Sequence, residues 1–300
     1  MDITKTVVLP KGHYVVAVSG GVDSMVLLDV VRRIPGVSLT VAHFDHGIRS
    51  DSREDRKHVE AAARSHGLPF VYGEGALGPY ATEDQARKAR YAFLQSVKER
   101  TGARGIVTAH HLDDVIETAT HNILRGTGRK GMSSLKSVDG IVRPLLHLPK
   151  KHLITYAEQN NIRWREDSTN ANVAYKRNYL RHVLLPKMQE RSLEGYRKYK
   201  ALVKRQADLN HAIDRMLQTF LHVQPAKNVL RRHDVIMLPH AVAVEFVGEW
   251  LRLNGKRSFT RQQLERLNTA LRTAQPGTTY VLDKNHAVLF EAKTAKFAKQ

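Results

Sequence analysis

The 300-residue sequence predicts an α/β fold in which helices flank a parallel sheet, followed by a long linker helix and a small, mainly helical C-terminal domain. In the first part of the chain, short apolar runs alternate with segments of helical spacing, which is the pattern of a parallel sheet covered on both faces. A long polar stretch with an apolar residue every three or four positions comes next. Two shorter helical patterns lie beyond it.

Three apolar runs are the predicted strands of the sheet: residues 14–18, 37–44 and 104–109. The first and third runs each lead directly into a segment whose apolar residues recur at helical spacing. Repetition of strand and helix favours parallel strands. We therefore expect one domain over residues 1–186.

The polar stretch over residues 187–222 predicts a long linker helix. Residues 223–300 form the expected small domain, with helical patterns over about 239–253 and 260–273. Near the end, "TTYVL" and "AVLFEA" flank "DKNH", which predicts a terminal hairpin.

Composition limits the classes of function. The formal net charge of +19 predicts a polyanionic partner, most simply nucleic acid. The chain has no cysteine, which excludes disulfides, thiolate nucleophiles and cysteine-bound zinc. No apolar run approaches the roughly eighteen residues of a membrane span, and the N-terminus lacks the pattern of a signal peptide. We expect a cytoplasmic protein with no membrane partner.

The stretch "SGGVDS", residues 19–24, stands between the first strand and the first helix and is called the glycine loop below. Ligands of parallel sheets bind where strands end and helices begin, and glycines let an anion approach the main chain. The loop therefore predicts phosphate binding. Asp23 would repel phosphates unless a divalent cation lies between them. The loop lacks the lysine of GxxxxGK[ST], and the GxGxxG of Gly126, Gly128 and Gly131 follows a helix rather than a strand, which argues against a dinucleotide site.

A second cluster, "TAHHLDDVIET" at residues 108–118, opens the helix after the third strand. Its apolar residues form one stripe, which leaves His110, Asp114 and Glu117 together on another face. Such a concentration of carboxylates in a basic protein predicts a bound cation, either a metal or an amine substrate. The side chains of types that bind metals are His43, His46, His110, Asp113 and Asp114.

Eight motifs occur in one order along residues 14–186: "VSGGVDS", "HFDHGIR", "TEDQARKARYAFL", "TAHHLDDVIET", "LRGTG", "RPLLHLPK", "IRWREDSTN" and "KRNYLRHVLLP". Together they resemble the tRNA(Ile)-lysidine synthetases, which belong to the N-type ATP pyrophosphatases of the PP-loop superfamily. The resemblance implies an adenine nucleotide hydrolase-like, Rossmann-like catalytic domain over 1–186 and a tRNA-binding domain over 223–300. It also implies ligation of free L-lysine to C2 of the wobble cytidine of tRNA(Ile) with the anticodon CAU, releasing AMP and pyrophosphate.

The resemblance implies roles for particular residues. Binding of ATP falls to Ser19, Gly20, Gly21, Val22, Asp23, Ser24, His43, His46 and His110. Mg²⁺ would be held by Asp23, and lysine would lie near Asp114 and Glu117, one of which holds the amine while the other or a histidine accepts its proton. Arg125 is the expected catalytic cation for the leaving pyrophosphate, with Lys150 or Arg177 as alternatives.

One position departs from the family pattern, because Asp45 stands where an asparagine is expected, which puts in doubt any role that needs an amide donor there. Alternative functions are a metal-dependent phosphoesterase, a non-catalytic RNA-binding protein and another PP-loop tRNA-modifying enzyme. Thiolation and glutamine-dependent ligation both rely on cysteines, which this chain lacks. Formation of a homodimer stays open.

Overall fold

The structure is a computed structural model that describes residues 3–47, 52–75, 78, 82–133, 135–138, 140–165, 176–256 and 258–299. The chain forms two compact units, Met1–Gln206 and Ala207–Gln300. The limits predicted from the sequence, at residues 186 and 222, remain predictions. No helix within the described ranges is long and apolar enough to cross a bilayer.

The first unit is built on a five-stranded parallel sheet in the order β3-β2-β1-β4-β5, which confirms the predicted fold class. Its strands are β1 (Gly12–Ala17), β2 (Val37–Asp45), β3 (Phe70–Glu74), β4 (Gly105–Val107) and β5 (Ile141–Val142). The three predicted strands correspond to β1, β2 and β4, whereas β3 and β5 were not predicted. The core beside the sheet is apolar: β1 buries its central residues, among them Val15 and Val16, and the helix after it buries nearly every side chain, among them Leu27.

Helices cover the sheet of the first unit. They are α1 (Val22–Val31), α2 (Ser52–Ser65), α3 (Glu83–Thr101), α4 (Leu112–Leu124), α5 (Arg129–Met132), α6 (Lys150–Gln159), α7 (Lys176–Tyr179) and α8 (Leu185–Arg191). A π-helical stretch, Leu180–Leu184, joins α7 to α8. The parallel strands share one direction, so the glycine loop after β1 and the start of α4 after β4 lie at the same edge of the sheet.

The predicted linker helix over 187–222 differs from the structure in one respect, because it is interrupted at Ser192. The long helix α9 covers Leu193–His222 and follows α8 directly. Ser192 has an extended backbone, and its hydroxyl accepts a hydrogen bond from the Gly195 amide at 3.0 Å. A serine that caps a helix in this way begins a new helix rather than continuing the previous one.

The second unit contains α10 (Arg232–Met237), α11 (His240–Leu253) and α12 (Arg261–Thr273). Its strands β6 (Val229–Arg231), β7 (Thr279–Asp283), β8 (His286–Phe290) and β9 (Thr294–Lys299) form an antiparallel sheet in the order β6-β9-β8-β7. The predicted helices and hairpin correspond to α11, α12 and β7–β8. The core of this unit forms around Phe246, Trp250 and Phe290.

Candidate active site

The glycine loop is shaped by the hydroxyl of Ser24. That oxygen accepts hydrogen bonds from the amides of Ser19 at 3.1 Å and Gly20 at 3.2 Å, and it donates to the carbonyl of Gly21 at 2.9 Å. Ser24 is buried. Its hydroxyl therefore closes the loop on itself, which is a different use from the phosphate contact expected from the sequence.

The loop leaves other amides for an anion. Val22 and Asp23 form the first turn of α1, where backbone N–H groups have no acceptor within the helix. Gly20 has φ +97°, a conformation that favours glycine, and Gly21 precedes the helix in an extended conformation. A loop of this kind at a helix N-terminus suits phosphate groups.

Two histidines at the end of β2 have packing and hydrogen-bond contacts near the loop region. His43 is buried and donates from Nδ1 to the carbonyl of Val18 at 2.8 Å, and its burial lowers its pKa. His46 stands edge-on to the ring of Phe44 with the centroids 5.1 Å apart. Asp45 accepts a hydrogen bond from the Gly47 amide at 2.8 Å. An asparagine side chain has the same acceptor oxygen, so the unusual aspartate preserves this turn.

At the start of α4, His111 is enclosed by carboxylates. Its Nε2 lies 3.6 Å from Oδ2 of Asp23 and 3.5 Å from Oδ2 of Asp114, and its Nδ1 lies 3.8 Å from Oδ2 of Asp113. Burial acts to lower the pKa of His111, but the hydrogen bond and charge of Asp23, with Asp114 and Asp113, raise it overall. The imidazole thus links the glycine loop to the acidic helix. The sequence pattern predicted a site role for its neighbour His110 but not for His111.

Arg181, in the π-helical stretch, binds the two carboxylates predicted to hold an amine. Its Nε donates to Glu117 at 2.6 Å, while one terminal nitrogen donates to Glu117 at 2.9 Å and to Asp114 at 3.0 Å. Glu117 is buried, and that burial raises its pKa although Arg181 opposes the shift. The sequence predicted a bound cation at these carboxylates. The guanidinium of Arg181 supplies part of that positive charge from within the chain.

Asp23, Asp113, Asp114 and Glu117 are called the acidic cluster below. Asp113 accepts a hydrogen bond from the backbone amide of Lys150 at 2.6 Å, and the ammonium of Lys150 lies 3.6 Å from Asp23. Oδ1 of Asp23 is buried without a hydrogen-bond partner in the described structure. Mg²⁺ in nucleotide sites binds one or two carboxylates together with phosphate oxygens, so this oxygen beside the glycine loop fits a magnesium ligand.

Other predicted positions lie apart from this arrangement. His110 bonds through Nδ1 to the Thr108 hydroxyl at 2.9 Å, and burial together with the charges of Arg143, Arg90 and Arg87 lowers its pKa to about 3. His110 is therefore neutral. Arg125 is exposed and follows the last residue of α4. Since a helix rises 1.5 Å per residue, the thirteen residues of α4 place Arg125 about 20 Å from the start of the helix.

Arg177 lies in α7 and is exposed. The STN part of the predicted active-centre loop, residues 168–170, lies outside the described residues. No group of three or more histidine, aspartate or glutamate side chains within the described ranges is arranged to hold a metal by itself.

The sequence also matches the model of a known protein family. The profile of the family described as PP-loop domain covers residues 3–188. The chain belongs to the PP-loop family. PP-loop domains use ATP, which agrees with the phosphate-binding form of the glycine loop.

Curated relatives of this PP-loop protein carry the name tRNA(Ile)-lysidine synthase. One from Thermotoga maritima is 38% identical over 188 residues, which cover 59% of this chain and 45% of that protein. One from Geobacter sulfurreducens is 40% identical over 59% of this chain and 40% of that protein. One from Thermus thermophilus is 37% identical over 72% of this chain and 43% of that protein. The chain thus spans less than half the length of these relatives, and the resemblance predicted from the motifs is confirmed.

A solved structure shares the PP-loop fold. The U34-tRNA thiolase NcsA from Methanococcus maripaludis with its [4Fe-4S] cluster aligns with a TM-score of 0.54 at 14% identity, over 69% of this chain and 77% of that one. Identity this low supports the fold alone.

Beside the acidic cluster of the PP-loop domain, a cavity of about 510 Å³ opens. Its lining includes charged groups of both signs, among them Glu117, Lys150 and Arg181. It also includes the apolar and aromatic side chains of Leu185, Pro186, Leu193 and Tyr196. Such a cavity suits a ligand that has charged groups at one end and an aliphatic stem.

Proposed function

We propose that this protein carries the catalytic activity of a tRNA(Ile)-lysidine synthase. It would use ATP to join free L-lysine to C2 of the wobble cytidine, position 34, of a tRNA(Ile) with the anticodon CAU. One observation carries the proposal: the predicted phosphate-binding loop and the acidic helix come together at His111. The imidazole of His111 lies within 3.6 Å of Asp23 from the glycine loop and of Asp114 from the acidic helix. The substrates imply a cytoplasmic location, and homodimer formation stays a prediction.

In the first step, the 2-oxygen of the cytidine attacks the α-phosphorus of ATP and pyrophosphate leaves. Main-chain amides of the glycine loop would bind the phosphates and stabilise the charge that develops on the leaving group. Asp23 would hold Mg²⁺, which neutralises phosphate charge when bound. Lys150, 3.6 Å from Asp23, is better placed than Arg125 to supply a further positive charge.

In the second step, the ε-amine of lysine attacks C2, the bond from C2 to the oxygen of AMP breaks, and the amine loses a proton. A free ε-amine with a pKa of about 10.4 is neutral in fewer than about one molecule in a thousand at pH 7. The cavity beside Glu117 would bind the aliphatic stem against Leu185 and Tyr196. Because almost all of the free amine is protonated at pH 7, the lysine needs a proton acceptor near its amine.

Glu117 is the carboxylate best suited to accept that proton. Both carboxylates accept hydrogen bonds from Arg181, and Asp114 accepts in addition the backbone amide of His111 at 2.9 Å. Burial raises the pKa of Glu117, which makes it a stronger base than an exposed carboxylate. We therefore assign proton acceptance to Glu117 and the positioning of His111 to Asp114.

The test follows label from each substrate onto unmodified CAU-anticodon tRNA in the presence of ATP and Mg²⁺. Label from lysine, and from no other amino acid, is expected on the RNA. The variant Glu117→Gln should keep transfer of AMP from α-labelled ATP and lose lysine transfer by about 10²–10⁴-fold, the usual contribution of a general base. Glu158→Gln, which removes an exposed carboxylate on α6, is the matched control and should act as the unmodified protein.

Other outcomes would decide against this function. Equal incorporation of arginine, or none of lysine, contradicts the assigned substrate. Hydrolysis that needs Mn²⁺ but no ATP would favour the phosphoesterase, and tight tRNA binding without release of pyrophosphate would favour a non-catalytic RNA-binding protein. Unchanged lysine transfer by Glu117→Gln would contradict proton acceptance by Glu117 but would leave the proposed activity standing.

A further inference from the structure

The segment 162–165 lies across the glycine loop. The backbone amide of Arg165 donates to the carbonyl of Gly20 at 3.0 Å. On its other side Gly20 faces α2, where a Cβ atom added to the glycine would lie 3.5 Å from Val59 and 3.8 Å from Asp55. The loop is thus held between α2 and this segment.

The side chain of Arg165 fastens the segment to α2. Its Nε lies 2.6 Å from Oδ1 of Asp55, and a terminal nitrogen lies 2.9 Å from Glu54. The Asp55 side chain is only 10% exposed, while that of Glu54 is 64% exposed. Because exposed ion pairs contribute little, the contact with Asp55 is the stronger of these two ion pairs. The segment has one further contact with α2, since His58 donates a hydrogen bond to the carbonyl of Arg163 at 3.1 Å.

The bond to Gly20 also fixes the direction of the next amide. In a planar trans peptide the C=O and N–H groups point in opposite directions. When the Gly20 carbonyl points at Arg165, the Gly21 N–H must point away from it. The amides of Ser19 and Gly20 are already bound to Ser24, so Gly21 joins Val22 and Asp23 as the donors left for phosphate.

We propose that Arg165 is a positioning residue for ATP, acting through Asp55 to orient the peptide between Gly20 and Gly21. This inference rests on the ATP-binding part of the proposed function and not on lysine or tRNA. Loss of the Arg165 side chain would remove the ion pair that holds the Arg165 amide in place, so the Gly21 amide would be oriented toward the phosphates less firmly.

The experiment measures ATP binding by calorimetry in the presence of Mg²⁺, without tRNA or lysine. In Arg165→Met, misalignment of one charge-assisted hydrogen bond is expected to raise the Kd for ATP about tenfold. Arg163→Met is the matched control, since Arg163 lies two residues away in the same segment, is exposed and loses the same charge. Its Kd should change less than about twofold, which corresponds to an ordinary exposed charge.

A double-mutant cycle tests the pathway through Asp55. Asp55→Asn should raise the Kd as Arg165→Met does, and the double variant should be no weaker than either single variant, because the two residues act as one unit. Thermal unfolding of each variant checks folding. If Arg165→Met does not fold, Arg165→Lys replaces it and should give an intermediate Kd, since lysine keeps the charge but not the forked geometry.

The proposal fails if Arg165→Met, or Arg165→Lys in its place, binds ATP as tightly as Arg163→Met, or if the effects of Arg165 and Asp55 add in full. An unmodified protein that does not bind ATP would overturn both this inference and the proposed function. An unmodified protein that binds ATP but transfers no lysine would overturn only the proposed function.

Discussion

Replacement of Arg181 by methionine should destabilise the first unit in a way that depends on pH. Methionine keeps much of the apolar stem but removes all three hydrogen bonds to Glu117 and Asp114. Glu117, whose side chain is 6% exposed, would remain as a buried carboxylate without its guanidinium partner. A buried charge left without compensation is one of the few causes of a large loss of stability.

The magnitude follows from the exposure of the pair. Removing one partner of a fully buried ion pair costs about 3–5 kcal/mol, and exposed pairs contribute about 0–1 kcal/mol. Because the Arg181 side chain is 29% exposed, we expect a loss of about 2 kcal/mol at pH 7. For a unit of this size that corresponds to a decrease in Tm of about 4–8 °C.

The sign of the pH dependence follows from the pKa of Glu117. Burial raises this pKa and Arg181 opposes the rise, so the variant should have a higher pKa than the unmodified protein. A carboxyl group whose pKa is raised by folding stabilises the protein below its unfolded pKa and loses that contribution as pH increases through the folded pKa. The deficit of Arg181→Met should therefore be larger at pH 7–8 than near pH 5, because Glu117 with its raised pKa binds a proton more readily as the pH falls.

Thermal unfolding followed by circular dichroism at several pH values between 5 and 8 measures this effect. Lys187→Met is the matched control, because Lys187 is an exposed cation in the helix that follows Arg181. The double variant with Glu117→Gln should recover part of the loss. Equal Tm values for Arg181→Met and Lys187→Met at pH 7, or a deficit that is the same at pH 5 and pH 8, would refute the reasoning.

Two further predictions concern side-chain hydrogen bonds of α1, one at its start and one near its end. Ser24→Ala leaves the amides of Ser19 and Gly20 without their acceptor, so we expect a loss of about 1–3 kcal/mol in unfolding free energy together with weaker ATP binding, measured by denaturation and calorimetry. Tyr156→Phe removes the 2.8 Å hydrogen bond to Asp29, and a loss of about 1 kcal/mol with unchanged affinity for ATP is the expected result. A weakened ATP affinity in Tyr156→Phe would contradict a purely structural role.

The sequence predicts those elements of the fold whose structure follows from a pattern of neighbouring residues. β1 and β2 are rich in apolar and β-branched residues, and this pattern alone indicates buried strands. β3 was missed because it is only partly buried and contains Gly73 and Glu74, which are uncommon in strands. β5 is only two residues long, too short for any period to appear. Both unpredicted strands lie at the outer ends of the sheet, where burial constrains the sequence least.

The site was predictable only within each motif. Helical spacing predicts that the carboxylates of Asp114 and Glu117 lie on one face, and both accept hydrogen bonds from Arg181. The identity of that partner could not be read from the sequence, because 64 residues separate Arg181 from Glu117 and the chain offers 48 lysines and arginines. For the same reason Arg125, close in sequence to the acidic helix, was preferred although it lies at the distant end.

The presence of Arg181 changes how the acidic cluster would treat a lysine substrate. Alone, the four carboxylates would attract the ε-ammonium and hold its proton, which opposes its use as a nucleophile. Arg181 and Lys150 already compensate part of that negative charge, and the pKa of His111 is raised so that it too favours the charged form. Nearby positive charges favour the neutral form of an amine. If lysine binds beside Glu117 as proposed, the selection of its side chain must then depend mainly on the apolar residues that line the cavity, while the compensated charges favour release of its proton.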